Sequence, residues 1–372
     1  MKNNAVKILV IAFLCFVLIW MIASKDISFS EKENRNMASK PEYSWTAVSD
    51  GTYMDDFETY LADQFPLRDT CVSVKTAVSR LVGKRLINGV YIGEGGYLIQ
   101  EEADVDYTHL RELVEAVNAF ASDIEDVDVN FMLVPNAVSV YEDKLPYGMT
   151  SGQKDTLELV ELMLSDDVDY INVYDALKKQ TGINLYYKTD HHWTTRGAFV
   201  AFETYADANA LGMSDVVYRF YNVTNSFQGT QASNSGVYST MESIEICVPY
   251  GQEGNYLVNN METGNKTATL FDASKLTQKD KYLVFMGGNY SQVNISTLAD
   301  TGRNLMVIKD SYANCMIPMM TPYYDKIVVI DPRYFYDNIY EVMEINGINE
   351  VMFLYNVNSF VEDNSLIDIL KK

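Results

Sequence analysis

Residues 305–311 read Leu-Met-Val-Ile-Lys-Asp-Ser, and this stretch decides the fold class. Its apolar half predicts a buried strand over 305–308, and Ser311 then stands where the strand ends and a helix begins. The chain continues with a helix over 312–320, a strand over 326–330, a helix over 336–346 and a strand over 351–354. This β-α-β-α-β order predicts parallel strands covered by helices, with functional sites at the carboxyl ends of the strands.

The same alternation extends upstream through most of the chain. Apolar residues recur at helical spacing between 107 and 124, and Val129–Val134 is a short apolar run that Pro135-Asn136 ends. Residues 216–300 differ, since they are rich in Asn, Ser, Thr, Gly and Tyr and alternate as strands do. We therefore predict an α/β domain over residues 89–372 that carries a β-rich insertion at about 216–300.

The N-terminus has a composition of its own. Lys2 and Lys7 precede an uncharged, mostly apolar run from Ile8 to Ala23, which is typical of a signal peptide or of an uncleaved signal-anchor. A poor small-residue cleavage pattern favours the anchor, and the lysines place the N-terminus in the cytoplasm. The predicted organisation is a cytoplasmic segment over 1–7, a transmembrane signal-anchor over 8–24, and a juxtamembrane stalk with N-terminal helices over 25–88.

Charge and cysteine content exclude several classes of protein. The formal net charge of -22 makes the surface repel phosphate backbones, so we expect no nucleic-acid partner. Cys71, Cys247 and Cys315 are widely spaced, which fits neither a disulfide framework nor a structural zinc site. We expect no metal and no cofactor.

Residues 189–194, Thr-Asp-His-His-Trp-Thr, hold two of the three histidines of the chain. Histidine is the side chain best suited to proton transfer near neutral pH, and a nearby carboxylate fixes its tautomer. In an extended segment Asp190 and His192 share one face, so the carboxylate can accept from one ring nitrogen while the other meets a nucleophile. His191 then points the other way, in a structural or substrate-facing position.

Ser311 is the matching nucleophile. At the carboxyl edge of the predicted sheet its hydroxyl lies near helix amides that stabilise an oxyanion, although serine in this place is also an ordinary helix N-cap. Another hypothesis uses Asp190, His191 and His192 as ligands of a catalytic metal, but adjacent histidines rarely bind one ion. The serine hypothesis requires the His192 and Ser311 side chains to lie about 3 Å apart, or up to about 4 Å apart in an unliganded form.

Several sequence blocks together resemble the DHHW protein family. They are Asp190-His191-His192-Trp193 and the blocks FSEKENR at 29–35, DQFPLR at 63–68, KDSY at 309–312 and DPRY at 331–334. That family is similar to the SGNH-like acetyltransferases that modify alginate in bacterial envelopes. The resemblance implies an SGNH-hydrolase-like, three-layer α/β/α fold with a mostly parallel sheet. It also implies that Asp190, His192 and Ser311 form a catalytic triad.

The sequence defines the oxyanion and substrate contacts less closely. A glycine usually precedes the Asp-Ser pair of such hydrolases, whereas this chain has Lys309. The candidates are the Tyr312 amide, Asn136 after its strand, Gly288 and Asn289 of a Gly-Gly-Asn block, His191 and Trp193. For the Gly-Gly-Asn block, a plain turn is the alternative interpretation.

We therefore expect a membrane-anchored, extracytoplasmic acyl transferase or esterase. Acetyl is the expected acyl group, and a cell-envelope polysaccharide or exopolysaccharide is the expected substrate. The resemblance also implies a multispanning membrane acyltransferase partner that delivers the acyl groups. The expected location is the cell membrane, with a single span and the C-terminal domain outside. The alternative is a non-catalytic polysaccharide-binding or assembly protein, since fold alone does not decide function.

Overall fold

A computed structural model of the chain describes residues 2–30, 32–33, 35–180, 182–238, 240–252 and 254–371. Glu31 and Asn34 of the block at 29–35 lie outside the described residues. The strands are β1 Phe29–Ser30, β2 Arg35–Asn36, β3 Leu86–Ile87, β4 Val90–Ile92, β5 Leu98–Gln100, β6 Asp128–Val134, β7 Asp169–Tyr170, β8 Tyr218–Phe227, β9 Glu242–Pro249, β10 Tyr256–Asn260, β11 Lys266–Thr267, β12 Gln292–Thr297, β13 Asn304–Lys309, β14 Lys326–Ile330 and β15 Glu350–Asn356.

The helices alternate with these strands. They are α1 Lys2–Ala23, α2 Trp45–Asp50, α3 Thr52–Asp63, α4 Arg68–Leu81, α5 Tyr107–Asp123, α6 Ala137–Val140, α7 Gln153–Met163, α8 Tyr174–Lys179, α9 Thr195–Ala208, α10 Thr230–Ser235, α11 Ile317–Met320, α12 Ile339–Asn346, α13 Val357–Val361 and α14 Leu366–Leu370. Short 3-10 helices lie at Glu94–Gly96, Glu142–Lys144, Met213–Asp215, Ala273–Thr277, Lys281–Val284 and Ser311–Cys315.

An eight-stranded mixed sheet forms the centre of the fold, in the order β11-β10-β12-β14-β13-β15-β6-β7. The strands β14, β13, β15, β6 and β7 run parallel to one another. On the other side, β12, β10 and β11 pair antiparallel. The predicted α/β class is confirmed, but the sheet is mixed rather than mostly parallel, because residues 256–297 return to it as antiparallel strands.

The central strands are apolar on both faces because helices cover the sheet on both sides. Leu305 and Val307 of β13 belong to a core that includes α9. Met306 and Ile308, which alternate with them, belong to a second core with α5, α12 and α14. The carboxyl ends of these strands therefore form one polar edge between two apolar layers.

The region predicted as a β-rich insertion, residues 216–300, contains β8 to β12 and the short helix α10. Among the described strands, β8 and β9 pair with each other as an antiparallel ribbon, whereas β10, β11 and β12 extend the main sheet. The connections of this region bring α10 and the turn Lys281–Val284 toward the carboxyl end of β13.

The two N-terminal sequence blocks meet in an ion-pair cluster made of Glu33, Arg35, Asp63 and Arg68. Arg35 Nη2 lies 2.5 Å from Asp63 Oδ1, and Arg35 Nε lies 2.8 Å from Glu33 Oε2. Arg68 Nη1 contacts the other oxygen of Glu33. The hydrogen bond from Arg35 lowers the pKa of Asp63. The cluster joins the segment before α2 to the end of α3 and the start of α4.

The helix α1 covers the whole apolar run from Ile8 to Ala23. Within the described residues, no helix combines the length and the apolar character that crossing a membrane requires. The transmembrane segment expected over 8–24 stays a prediction.

We predict that Phe353 in β15 contributes strongly to stability. Its buried ring lies 5.8 Å from the rings of Phe120 and Phe131. Phe353→Ala is expected to lower the free energy of unfolding by about 3–5 kcal/mol, because it removes apolar contacts and leaves a cavity. Urea unfolding measures the change. The control Leu162→Ala, at an exposed position of α7, should stay within about 0.5 kcal/mol of the parent chain. An equal loss in both variants would contradict the prediction.

Candidate active site

Asp190, His192 and Ser311 form a hydrogen-bonded chain at the carboxyl edge of the sheet. His192 Nδ1 lies 2.5 Å from Asp190 Oδ1, and His192 Nε2 lies 2.8 Å from Ser311 Oγ. The Asp190 and His192 side chains are buried, whereas Ser311 is partly exposed. The structure thus brings together two segments that are 119 residues apart, at a distance that permits proton transfer.

A tight loop, rather than the extended segment that we expected, joins Asp190 to His192. Residues 188–192 form consecutive bends, and Asp190 Oδ1 also accepts the His192 backbone N–H at 3.0 Å. Neighbouring side chains do not alternate between two faces in such a turn. The prediction that His191 points the other way is therefore wrong, since its ring centroid lies 3.9 Å from that of His192.

The start of α10 holds the second oxygen of the Asp190 carboxylate. Thr230 donates its backbone N–H to Asp190 Oδ2 at 2.9 Å. A Cβ atom at Gly229 would lie 2.2 Å from the same oxygen, so this position requires glycine. Burial raises the pKa of Asp190, but the charges of His191 and His192 and the hydrogen bonds to the carboxylate outweigh it. The pKa therefore lies well below its usual range, and Asp190 is ionised at neutral pH.

Glu242 at the start of β9 fixes the preceding part of the loop. Its carboxylate accepts the backbone N–H groups of Lys188 and Thr189 at 2.6 and 2.8 Å, and the Thr189 hydroxyl at 2.6 Å. Gly229 donates its N–H to the same hydroxyl at 3.2 Å. The loop is thus held by hydrogen bonds on both sides of Asp190, which makes its geometry rigid.

Two aromatic rings pack against the imidazole of His192. Tyr282 stacks on it with centroids 3.7 Å apart and planes inclined by 12°, and His191 is the other neighbour. Burial and the proximity of His192 lower the pKa of His191 to about 4. His191 is therefore neutral at pH 7, and it does not repel the imidazolium that forms when His192 accepts a proton.

Trp193 and Tyr312 brace the two segments against each other. Trp193 Nε1 donates to the backbone carbonyl of Tyr312 at 2.9 Å, and the Tyr312 hydroxyl donates to the carbonyl of His191 at 2.5 Å. The Trp193 side chain is fully buried. Trp193 was predicted as a possible substrate contact, but a buried indole does not touch a substrate and instead positions His192 relative to Ser311.

The Tyr312 amide, predicted as an oxyanion donor, is already bonded. It donates to Asp310 Oδ1 at 2.8 Å, so Asp310 caps the short 3-10 helix Ser311–Cys315. The other oxygen of Asp310 accepts from the Asn356 backbone N–H at 2.9 Å. Burial raises the pKa of Asp310, and these donors act against the shift. Asp310 therefore shapes the turn that presents Ser311.

Asn136 was also predicted as an oxyanion donor, and the structure contradicts this role. Its side chain is 2% exposed, and its amide group donates to the Tyr312 hydroxyl at 3.1 Å and to Asn356 Oδ1 at 2.9 Å. Its backbone N–H donates to Gln153 Oε1 at 2.9 Å. Asn136 thus belongs to the buried polar network beneath Tyr312.

Among the residues that the structure describes, the side-chain nitrogen of Asn289 has no hydrogen-bond partner. Lys309 Nζ and Asn314 Nδ2 donate to its carbonyl oxygen at 2.8 and 3.0 Å, which fixes the orientation of the amide. Gly288 has φ +133, a conformation that favours glycine, so the turn interpretation of the Gly-Gly-Asn block holds for this residue. Lys309, in the place where hydrolases usually carry glycine, is buried and lies 3.2 Å from Asp331.

The metal hypothesis uses atoms that the triad also uses. The candidate ligand atoms of Asp190, His191 and His192 lie within 4.8 Å of one another. However, Asp190 Oδ1 and both ring nitrogens of His192 already take part in the hydrogen-bonded chain that ends at Ser311. An ion held by all three residues would break that chain, so metal binding and the serine triad exclude each other.

A sequence model of the DHHW protein family matches residues 110–330, which is more than half of the chain. The chain belongs to the DHHW family. The match includes the whole site described above apart from Asp331 and Asn356, and no curated protein matches the chain.

Several solved structures are similar to this chain. A DHHW family protein from Eubacterium siraeum is 24% identical, with a TM-score of 0.64 over 77% of this chain and 97% of that one. PatB1 of Bacillus cereus, solved with a sulfonyl adduct, is 18% identical, with a TM-score of 0.63 over 75% of this chain and 99% of that one. The O-acetyltransferase domain of Pseudomonas putida AlgJ is 12% identical, with a TM-score of 0.47 over 76% of this chain and 98% of that one.

The sequence of the DHHW block does not reveal which other residues hold this loop in place through hydrogen bonds and ring stacking. Gly229, Thr230, Glu242 and Tyr282 lie in a region where the sequence shows only a change in composition. Their contacts with the triad segment arise from pairing between distant parts of the chain, which has no local signal. Gly229 is the one local signal, because glycine often stands where another group packs closely against the backbone.

We predict that Gly229→Ala disrupts the DHHW loop. The added methyl group would displace the Asp190 carboxylate and break its bond to Thr230, which we expect to cost about 1–3 kcal/mol of stability. Proton NMR of the His192 Nδ1–H, which is expected far downfield, measures the disruption directly. The control is Gly152→Ala, where the nearest atom to the added Cβ is 3.6 Å away. A retained downfield resonance in Gly229→Ala would contradict this geometry.

We also predict a pH dependence that comes from His191. Its pKa falls from 6.5 to about 4 on folding, so between these values the unfolded chain binds more protons than the folded one. The free energy of unfolding therefore rises with pH across this window and falls on acidification. His191→Gln should make the free energy of unfolding depend less steeply on pH, by an amount that corresponds to at most one bound proton. Urea unfolding at several pH values measures this slope. An unchanged slope would show that His191 titrates normally in the folded state.

Proposed function

We propose that this DHHW-family chain is a serine-dependent acyl transferase or esterase that acts on polysaccharide. The observation that carries the proposal is the 2.8 Å contact between His192 Nε2 and Ser311 Oγ, made by an imidazole whose other nitrogen faces the Asp190 carboxylate. A carboxylate, an imidazole and a hydroxyl in this sequence of hydrogen bonds activate serine as a nucleophile.

In the proposed mechanism Ser311 Oγ attacks the carbonyl carbon of an acyl ester. The hydroxyl proton passes to His192 Nε2, and Asp190 stabilises the imidazolium through the Nδ1–H bond. When the tetrahedral intermediate collapses, the leaving alcohol takes the proton from Nε2 and the acyl group stays on Ser311. A sugar hydroxyl or water then gives its proton to Nε2 and attacks the acyl-serine, and Ser311 recovers its hydroxyl.

Asn289 is the proposed oxyanion donor. Its carbonyl oxygen is occupied by Lys309 and Asn314, so its Nδ2–H is the group left to meet the developing charge. The cation of Lys309 behind the amide polarises it further in the low-dielectric interior. Removal of one such donor from a comparable site typically costs about 100- to 1,000-fold in rate.

The polysaccharide substrate and the acetyl group rest on the resemblance of the sequence blocks to envelope acetyltransferases. Transfer to a sugar and hydrolysis both fit the proposed steps, since they differ only in the second acceptor. The extracytoplasmic location and the multispanning acyltransferase partner stay predictions.

We predict that Ser311→Ala abolishes turnover of an acetyl-ester reporter such as 4-nitrophenyl acetate. The variant loses the nucleophile but keeps the fold, since Ser311 is partly exposed. Initial rates measured with purified protein, corrected for the uncatalysed reaction, test the prediction. Ser214→Ala, at an exposed position of a 3-10 helix, should retain full activity. Undiminished turnover in Ser311→Ala would remove this serine from the mechanism.

Covalent labelling separates the enzyme from the non-catalytic alternative. That alternative gains weight because the Tyr312 and Asn136 donors are engaged elsewhere. PatB1, which shares the fold, has been solved with a sulfonyl adduct, so we expect phenylmethanesulfonyl fluoride to react with Ser311 and release fluoride. Mass spectrometry of tryptic peptides locates the label. No labelling at Ser311 in folded protein, together with no turnover, would favour the non-catalytic alternative.

A further inference from the structure

A basic stretch interrupts an otherwise acidic chain. Residues 70–93 contain Lys75, Arg80, Lys84 and Arg85 and no aspartate or glutamate, in a protein of formal net charge -22. All four cationic residues are exposed. None of them pairs with a carboxylate of the residues that the structure describes. A group of unpaired cations on an acidic protein selects an anionic partner for that one surface.

Two cavities adjoin this stretch and share Lys84 and Asn88. One has a volume of about 510 Å³ and lies between α4 and the end of α10. The other has a volume of about 980 Å³ and follows the small sheet of β3, β4 and β5. Because they share lining residues, the two cavities are adjacent, and we call them together the basic groove.

The first cavity contains a hydroxyl group that lacks a partner. The Ser233 side chain is 4% exposed and lines this cavity, and its Oγ has no hydrogen-bond partner among the described residues. A buried hydroxyl without a partner costs free energy that a bound polar ligand recovers. The neighbouring Asn88 is already oriented, since its Nδ2 donates to the Asn234 carbonyl at 2.8 Å. The cavity thus offers ammonium, hydroxyl and amide groups, and its one described carboxylate, that of Glu33, is paired with Arg35 and Arg68.

The second cavity adds aromatic rings to these cations. Its lining includes Arg80 and Arg85 together with Tyr91, Tyr97 and Tyr147. Tyr147 is fully exposed, so its ring is free to stack on a ligand. Aromatic rings beside polar and cationic groups suit a sugar chain, whose rings have apolar faces and whose substituents form hydrogen bonds.

We propose that the basic groove binds an anionic polysaccharide. Its ammonium and guanidinium groups bind the carboxylate or phosphate substituents, the exposed ring of Tyr147 contacts the sugar rings, and Ser233 receives a hydrogen bond from, or donates one to, a sugar hydroxyl. The inference goes beyond the proposed function, because this binding requires no chemistry at Ser311.

Helix α10 connects the basic groove to the triad. Its first residue, Thr230, donates to the Asp190 carboxylate, and its last turn presents Ser233 and Asn234 to the first cavity. A helix of six residues is roughly 9 Å long. A polymer bound in the first cavity therefore lies about one short helix from the carboxylate that orients His192.

Calorimetric titration of the full chain with three oligomers tests the proposal. A galacturonate hexasaccharide carries carboxylates, a polyglycerol phosphate of equal charge carries phosphates, and maltohexaose is neutral. We expect an anionic oligomer to bind at least about tenfold more tightly than maltohexaose, and the tighter of the two anionic oligomers identifies the substituent. Lys75→Gln combined with Lys84→Gln should weaken that binding by about tenfold or more, because each lysine supplies a charge-assisted hydrogen bond.

Matched variants make the test specific. Lys154→Gln combined with Lys179→Gln removes two exposed helical lysines that line neither cavity and should leave binding unchanged. Ser233→Ala should weaken binding severalfold without lowering Tm, because its hydroxyl loses no hydrogen bond in the free protein. Ser311→Ala should bind normally, so a failure of the proposed catalytic function would not affect this result.

Three results would overturn the proposal. The first is equal binding of maltohexaose and both anionic oligomers. The second is an equal loss of affinity in the Lys75/Lys84 variant and in the Lys154/Lys179 control, which would show that only the net charge of the protein matters. The third is equal affinity for a DNA oligonucleotide of the same charge, because a sugar-binding groove must distinguish a polysaccharide from another polyanion.

Discussion

Two hydrogen bonds at Tyr312 decide whether the imidazole of His192 meets the hydroxyl of Ser311. One runs from the Trp193 indole to the Tyr312 carbonyl, and the other runs from the Tyr312 hydroxyl to the His191 carbonyl. The loop that carries His192 lies outside the main sheet, so the backbone hydrogen bonds between the strands of that sheet do not position this loop. Burial of Trp193 and Tyr312 makes both bonds costly to break, because each would leave a polar group without a partner.

Beneath these bonds, a polar network replaces the apolar core at the carboxyl edge of the parallel strands. Asn136 lies just after β6 and Asn356 ends β15, and their side chains bond to Tyr312 and Asp310, respectively. Each of these side chains is buried, and each has found a hydrogen-bond partner, which is the condition under which buried polar groups are tolerated. Tyr312 and Asn136, two of the residues that were expected to contact the oxyanion, instead support the turn at Ser311.

The central strands were predictable from sequence because apolar runs report burial directly. Residues 305–308, 326–330 and 351–354 all lie in strands of the parallel half. The predicted helix over 312–320 instead divides into a 3-10 turn and α11, at which Pro318 stands in the first turn. The antiparallel strands β10 to β12 were not predicted as part of the sheet, because pairing between distant segments leaves no periodic signal.

For the site, residue type and family blocks identified Asp190, His192 and Ser311, and the structure brings these three together. The contacts that hold these three residues in place could not be predicted from the sequence. Nothing local to Tyr312 or Asn136 indicates that their donors are consumed by Asp310 and Asn356. Likewise, Tyr282 was one of 27 tyrosines, and only the folded chain distinguishes it from the others.

The stacking of His192 on Tyr282 determines which ring nitrogen accepts and releases protons. Both ring nitrogens are hydrogen-bonded and the ring plane lies flat against Tyr282, so a half-turn about the Cβ–Cγ bond would break both bonds and would have to turn the ring edge-on against Tyr282 on the way. Ring flipping between two chemical steps is therefore blocked. Any proton that leaves Ser311 for this imidazole must depart again from the same nitrogen, which requires the incoming acceptor to occupy the place that the outgoing alcohol has just left.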